Sequence, residues 1–309
     1  MKANHSLSLM FYGFLATAIA CGTYIGNPEE GDSTQTETEG VGDPEDGDTP
    51  GTQDPVLDPD SELPDEPIVN DPSGAADSLF TLALTDAPID DLQSFFITIS
   101  EVIIRQESGG LVNIPISYSQ EIDLLNYQGS QSIVFAASND IPLGNYSEIR
   151  VTLDPNNPPR AIDKAGGNIE VNAPSAETSG IKIASNFTVD ASGIGITLDF
   201  DLRKSLKVTG PRLKLSPKIR AAKNKEAFGV AGLIQLANVV CIYEEGTVAD
   251  TTDECDNALS AALVGESRFK IGFVPNGRYY LRFFQDDSSI DSEIFTVDGK
   301  NVRVDEPSR

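Results

Sequence analysis

Ser94-Phe-Phe-Ile-Thr-Ile-Ser-Glu-Val-Ile-Ile-Arg105 decides the fold class. Phe95, Ile97 and Ile99 alternate with Phe96, Thr98 and Ser100. A period of two is strand spacing, because successive side chains leave opposite faces of the backbone. Aromatic and β-branched residues also fit a pleated, half-buried surface. The same texture extends to both sides, in Leu79–Leu84, Ser132–Ala136, Tyr146–Leu153, Gly180–Val189 and Gly195–Leu202. Within one of these runs, Ile181 and Ile183 flank Lys182. Gly, Pro and Asn turn signals separate the runs, which argues for an antiparallel sandwich or barrel. Ala258–Leu263 hints at a short helix, and Ser117–Asn126 reads as a loop or a brief helical turn. No long 3.6-residue period occurs, so the expected class is all-β.

The N-terminal quarter has a different texture. Lys2 supplies a basic start, and Phe11, Tyr12, Phe14, Leu15, Ala16, Ala18 and Ile19 form a short apolar core before Cys21. That is the layout of a secretory signal, and it is too short to span a bilayer, which takes about 20 residues. Small or apolar residues (Ala18, Ile19, Ala20) before Cys21, and Gly22 after it, read as a bacterial lipobox. Residues 1–20 are then a lipoprotein signal peptide, and Cys21 is the lipidated N-terminus of the mature chain. The plainer reading is an ordinary cleaved signal with an incidental cysteine. Gly22 resembles the residue that sends Gram-negative lipoproteins to the outer membrane. Between Gly22 and Asp77 there are 17 acidic residues and no Lys or Arg. Such a segment cannot bury enough apolar surface to offset its ordering entropy. Residues 21–77 are therefore expected to be a disordered acidic tether, spanning on the order of 40 Å.

The whole chain carries a net charge of −26, and 78–309 retains 31 acids and 21 bases. An acidic protein is repelled by nucleic acid, so none is expected as a partner. One basic strip stands out: Arg203, Lys204, Lys207, Arg212, Lys214, Lys218, Arg220, Lys223 and Lys225. Arg212 and Lys214 alternate with Leu213 and Leu215, as on a strand with one solvated face. The strip reads as an outward strand face plus a charged linker, or as a contact for acidic glycan, lipopolysaccharide or the tether.

Residues 221–227, Ala-Ala-Lys-Asn-Lys-Glu-Ala, are polar, without strand signal, and read as a hinge. Beyond them lie Gly229–Leu236, Asn238–Tyr243, Phe269–Phe273, Tyr279–Phe284, Glu293–Val297 and Val302–Val304, enough for a second, small sandwich over 228–309. So small a core benefits from a staple. With Cys21 committed to lipid, Cys241 and Cys255 are left as an even pair in an oxidising compartment, and a disulfide follows. The expected architecture is two β-sandwich domains in tandem, 78–220 and 228–309, after the acidic linker.

Chemistry is sparse. His5, in the leader, is the only histidine, which removes Ser-His-Asp and Cys-His catalysis and the usual zinc sites. No glycine-rich phosphate loop occurs, and no cofactor is expected. Paired carboxylates about 5–10 Å apart could serve a glycosidase; the candidates are Asp86, Asp90, Asp91, Asp199 and Asp201. Turn formation explains Thr85-Asp86-Ala-Pro88 equally well, and the chain is not expected to be an enzyme. Asp86, Asp90 and Asp91 are also calcium candidates, with Asp250, Asp253 and Asp256, and Asp286, Asp287 and Asp291, as further acidic sets. None matches an EF-hand loop. There is no Trp, which leaves Tyr118, Tyr127 and Tyr280 as glycan platforms or core aromatics. The expected partners are the membrane, through the lipid, and an envelope protein or glycan.

Several strings resemble a bacterial lipoprotein family, the domain of unknown function 4382. They are Leu82-Ala-Leu-Thr-Asp-Ala-Pro-Ile-Asp90, Ile141-Pro-Leu-Gly-Asn-Tyr-Ser-Glu-Ile-Arg150, Ser179-Gly-Ile-Lys182, Leu198-Asp-Phe-Asp-Leu202 and Leu213-Lys-Leu-Ser-Pro-Lys-Ile-Arg220. The resemblance covers about 78–220 and implies an exported β-sandwich without an established activity. In 228–309, Gly229, Val239–Tyr243, Phe269-Lys-Ile271 and Val274-Pro-Asn-Gly-Arg-Tyr279 resemble the carboxypeptidase regulatory-like, transthyretin-like sandwich. Related carbohydrate-binding sandwiches look similar at this level.

Overall fold

Residues 94–105 form two strands rather than one. In the computed structural model, Leu92–Ile97 and Ile99–Gln106 belong to different sheets, and the chain crosses between them at the buried Thr98. Phe95, Ile97 and Ile99 are buried, but the inward phase then passes to Val102 and Ile104. A bulge between Ile99 and Glu101 causes that shift, since one extra residue inverts which side chains face the core. The structure describes residues 68–70 (backbone only), 77–87, 89, 91–249, 254–265, 267–286 and 288–308. Cys21, the leader, Asp90, Asp250, Asp253, Asp287 and all of the acidic tether except 68–70 and 77 lie outside these residues.

Nearly all the regular structure of the described part is strand, so the class is all-β, as expected. The first hydrophobic core, running from Phe80 to Leu215, is enclosed by three sheets. One has the order Ile68–Asn70, Gln131–Ser138, Phe80–Ala87, Ile194–Asp201, Ile219–Lys223. It is mixed: Phe80–Ala87 lies parallel to Ile194–Asp201, and Ile68–Asn70 parallel to Gln131–Ser138. The second runs Leu206–Thr209, Arg212–Leu215, Asn168–Asn172, Arg160–Asp163, Leu92–Ile97, Ile122–Asp123. The third runs Ile181–Val189, Gly144–Leu153, Ile99–Gln106, Leu111–Ile114.

A second core, centred on Val230, Val240, Ile242, Leu281 and Phe283, fills the space between two smaller sheets. Arg268–Pro275, Ala227–Leu233 and Val302–Arg303 make one; Ser260–Leu263, Val239–Glu244, Gly277–Gln285 and Ser288–Asp291 make the other, with Phe295–Val297 also on Gly277–Gln285. Both cores belong to a single compact unit, Pro59–Arg309.

Three local readings differ from expectation. Ser260–Leu263 is a strand, paired with Val239–Glu244, so tertiary pairing overrides the alanines' helical tendency. Residues 221–227 are ordered: Ile219–Lys223 is a strand, Asn224–Glu226 a single 3-10 turn, and Ala227 opens the next strand. Pro174–Thr178 and Leu202–Ser205 are short helices that no periodicity announced. The turn of helix within 117–126 is Leu124–Asn126, capped by Asp123.

Both cores use the same corner. Tyr146 Oη donates to the Pro142 carbonyl at 2.7 Å, and Tyr279 Oη donates to the Pro275 carbonyl at 3.0 Å. In each case a Pro-x-Gly-x-Tyr segment starts a strand, Gly144–Leu153 or Gly277–Gln285. The glycine is needed for a different reason in each. Gly144 has φ +142°, where a side chain is strained; at Gly277 an added Cβ would lie 2.7 Å from Tyr279 Oη. The tyrosine ring then packs inward, Tyr146 stacking on Phe187 at 5.2 Å between centroids.

Candidate functional site

The two cores meet along a charged seam. Its centre is the end of Ile194–Asp201 and the neighbouring strand Ile219–Lys223, where Asp199 and Arg220 are direct cross-strand partners. Arg220 Nη2 donates to Asp199 Oδ2 at 2.6 Å, and Nη1 donates to the Phe273 carbonyl at 2.8 Å. One guanidinium thus ties an ion pair of the first body to the backbone of the second. Its planar fork makes both bonds at once, which a lysine could not reproduce. Asp199 is 5% exposed. Burial pushes its carboxyl above the ordinary aspartate value, while the Arg220 charge and hydrogen bond oppose that rise.

Next along the chain, Asp201 caps the helix Leu202–Ser205 by accepting from Lys204 N at 3.1 Å. Lys204 Nζ lies 3.0 Å from Asp201 Oδ2 and donates to the Ala258 carbonyl at 2.6 Å. Arg203 Nη1 donates to Cys255 Sγ at 3.1 Å. Part of the basic strip is therefore spent on the seam rather than facing solvent.

Backbone closes the seam nearby. Gly272 N–H donates to the Gly129 carbonyl at 2.9 Å. A Cβ at position 272 would stand 2.5 Å from that oxygen and 2.7 Å from Ser130 Cα, so only glycine permits this approach. Ala222, Ala227 and Phe273 are buried together beside it, which is why 221–227 does not act as a free polar hinge.

Asp86 is the outlier. It sits on Phe80–Ala87, opposite Phe200 in the parallel register, and is 2% exposed. Leu202 N–H donates to its Oδ1 at 3.2 Å, and its Oδ2 has no partner among the described residues. Burial holds the carboxyl well above the ordinary 3.8, reinforced by Asp199 and Asp201; Leu202 N–H and the Gln128 side chain pull less strongly the other way. An unfolded Asp86 ionises near 3.8 while the folded one holds its proton to higher pH. Its contribution to stability is therefore full below that value and is lost as pH rises through the raised folded pKa. Asp86→Asn should raise the urea midpoint at neutral pH and leave it unchanged near about pH 3. An equal midpoint shift at both pH values would show that Asp86 does not titrate in this way.

The other sequence candidates are scattered. Asp91 is exposed, and among the described residues no three His, Cys, Asp or Glu side chains converge on a metal position. Asp291 forms a bidentate pair with Arg282 at 2.6 and 2.8 Å, and Asp256 and Asp286 lie apart from any metal cluster. Tyr118 and Tyr127 pack against the first core, and Tyr280 stacks on Tyr243 at 5.1 Å between centroids. Cys241 and Cys255 form a disulfide, with Cα atoms 5.4 Å apart. The seam was missed in sequence because its side-chain donors and their acceptors lie more than 50 residues apart along the chain. The one available signal was the dense interleaving of Asp and basic residues from Asp199 to Arg220.

No curated protein matches the chain. Among solved structures, the Bacillus anthracis TIE protein aligns at 10% identity and TM-score 0.19, covering 74% of this chain and 56% of that one. This chain thus spans little more than half of that protein's length. The minor pilin GBS52 of Streptococcus agalactiae aligns at 14% identity and TM-score 0.17, covering 74% and 100%. The major pilin subunit BcpA of Bacillus cereus aligns at 7% and 0.17, covering 73% and 68%. Scores this low do not establish a common fold over the whole chain. Among the described residues no helix is long and apolar enough to cross a membrane. Residues 77–217 match the family model described as Domain of unknown function (DUF4382), a span that holds the first core and ends just before the strand that carries Arg220.

Proposed function

We propose that this is an exported, lipid-anchored envelope protein with a binding or structural role and no catalysis. In this reading Cys21 holds it to a membrane, the outer membrane where there is one. The acidic segment 21–77 is the spacer up to Ile68–Asn70, which pairs with Gln131–Ser138, and 228–309 is a carboxypeptidase regulatory-like sandwich joined to the first. The observation that carries the non-catalytic part is the use made of the carboxylates. A hydrolase needs two of them facing an open cleft across a substrate. Asp199 is paired with Arg220, Asp201 caps a helix and holds Lys204, and Asp86 is buried within the fold. Asp199 and Asp201 are absorbed by the joint between the cores, and Asp86 by the interior of the first. The location is supported by the placement of Cys21 directly after a short apolar leader.

Cys21→Ser is the test of the anchor. Cells expressing the variant should show no incorporation of labelled fatty acid into the protein, and the chain should move from the membrane to the soluble fraction. A variant that still takes up lipid would sink the anchor reading.

A further inference from the structure

The hairpin Leu206–Thr209/Arg212–Leu215 forms the outer edge of the six-stranded sheet. Lys207 and Lys214 are direct cross-strand partners there, and both are exposed. Like charges directly opposite one another on a strand pair destabilise it. The other cations of this face are neutralised. Arg212 Nε lies 3.0 Å from Glu170, and Arg160 Nη2 lies 2.6 Å from Glu121 while its guanidinium stacks 3.8 Å above the Phe96 ring. Lys207 and Lys214 have no acidic partner among the described residues, in a protein whose net charge is −26. Beside them is a cleft of about 410 Å³, lined by Asn172, Thr209, Pro211, Arg212, Leu213 and Lys214. At the cleft, Arg212–Leu215 meets Asn168–Asn172 in parallel over only two residue pairs, Val171 with Leu213 and Asn172 with Lys214.

We propose that this cleft binds an anionic polysaccharide, with Lys207 and Lys214 together holding one acidic group of the chain. The reading rests on the binding role proposed above and supplies its ligand class. A pair of ammonium groups is a repulsive defect in the free protein and an asset once a carboxylate or sulfate lies between them. The lining of the cleft is mostly apolar, with Pro211 exposed, which suits the C–H face of a sugar ring next to the charged pair. A lipid surface fits less well. Val208, 47% exposed, is the one large apolar side chain that this hairpin presents to solvent.

The test is titration of the purified full chain with polygalacturonate, neutral dextran, polyglutamate and phosphatidylglycerol vesicles. Polygalacturonate should bind, in a salt-sensitive way, and neutral dextran should not. Lys207→Gln with Lys214→Gln should weaken polygalacturonate by about tenfold or more. The same double change should keep or raise the thermal midpoint, because it removes a like-charge pair. Lys182→Gln, on another sheet, should leave binding unchanged. Unaltered polygalacturonate binding by the double variant overturns the site. So does absent binding to polygalacturonate, or equal or tighter binding to polyglutamate or to the vesicles. These failures leave the envelope reading standing if Cys21 still takes lipid. Release of shorter sugars from polygalacturonate would instead overturn the non-catalytic reading.

Discussion

Arg220→Ala is expected to destabilise the protein by about 3–5 kcal/mol, the usual cost of leaving one partner of a buried ion pair uncompensated. Asp199, 5% exposed, would lose the guanidinium that opposes the upward push of burial on its carboxyl, so it must either hold an uncompensated charge or take up a proton, and the Phe273 carbonyl would lose its donor. The Arg220 side chain is itself only 22% exposed, so water does not readily replace it. Chemical denaturation of the whole chain is the measurement, read at the midpoint. Lys223→Ala is the control, since Lys223 pairs with Glu226 at 3.2 Å on the surface. Its loss should cost no more than about 1 kcal/mol. The companion variant, Asp199→Leu with Arg220→Met, should recover much of the loss, because an apolar pair of similar size removes the stranded charge. The shape of the transition carries a second expectation. If Arg220 couples the two cores, its removal should broaden unfolding or divide it into two steps, whereas the unmodified protein, with both cores in one compact unit, is expected to unfold in one step. A loss under about 1 kcal/mol with an unchanged single transition would mean that the seam does not join the cores.

The strands were legible because their signal is local. The alternation around Phe95 to Ile99 and the Leu213–Leu215 pattern each needed only a few neighbouring residues, and the buried faces follow them. The bulge at Ile99–Glu101 was not legible, since nothing in Ile-Ser-Glu-Val marks an extra residue; the partner strand Gly144–Leu153 sets it. The two Pro-x-Gly-x-Tyr corners stand in the sequence within the separate strings Ile141–Arg150 and Val274–Tyr279. Their equivalence emerges only when both tyrosines are seen to donate to the proline carbonyl four residues earlier. The site divides in the same way. Arg212 and Lys214 could be placed on a solvated face from periodicity alone. Arg203, Lys204 and Arg220 could not be told from them, because their partners, Cys255, Ala258 and Phe273, come from the second core, about 50 residues along the chain. A polar stretch such as 221–227 reads as a hinge until the burial of Ala222 and Ala227 against Phe273 is known.

Replacing both Cys241 and Cys255 by Ala should lower stability by about 3 kcal/mol, the chain-entropy value for a loop of this size. The bridge joins positions 14 residues apart. Cys241 is fully buried in the middle of Val239–Glu244, where its partners are Ala261 and Arg282. Cys255 lies in a turn with φ +59°, a backbone region that non-glycine residues enter only when their surroundings hold them there. The disulfide is one such restraint, and Arg203 on Sγ is another. A reducing agent should lower the thermal midpoint of the unmodified protein and leave the double variant unaffected. Equal sensitivity in the two would show that the bond does not form. The same turn leads to Ala258, whose carbonyl receives Lys204. Loosening the turn should therefore weaken the seam as well as the second core. Lys204→Ala should cost less in the variant without cysteines than in the unmodified chain, by about 0.5 kcal/mol or more, as coupled neighbours do. Strict additivity would show instead that the turn keeps its seam geometry without the bridge, and that the disulfide stabilises the second core alone.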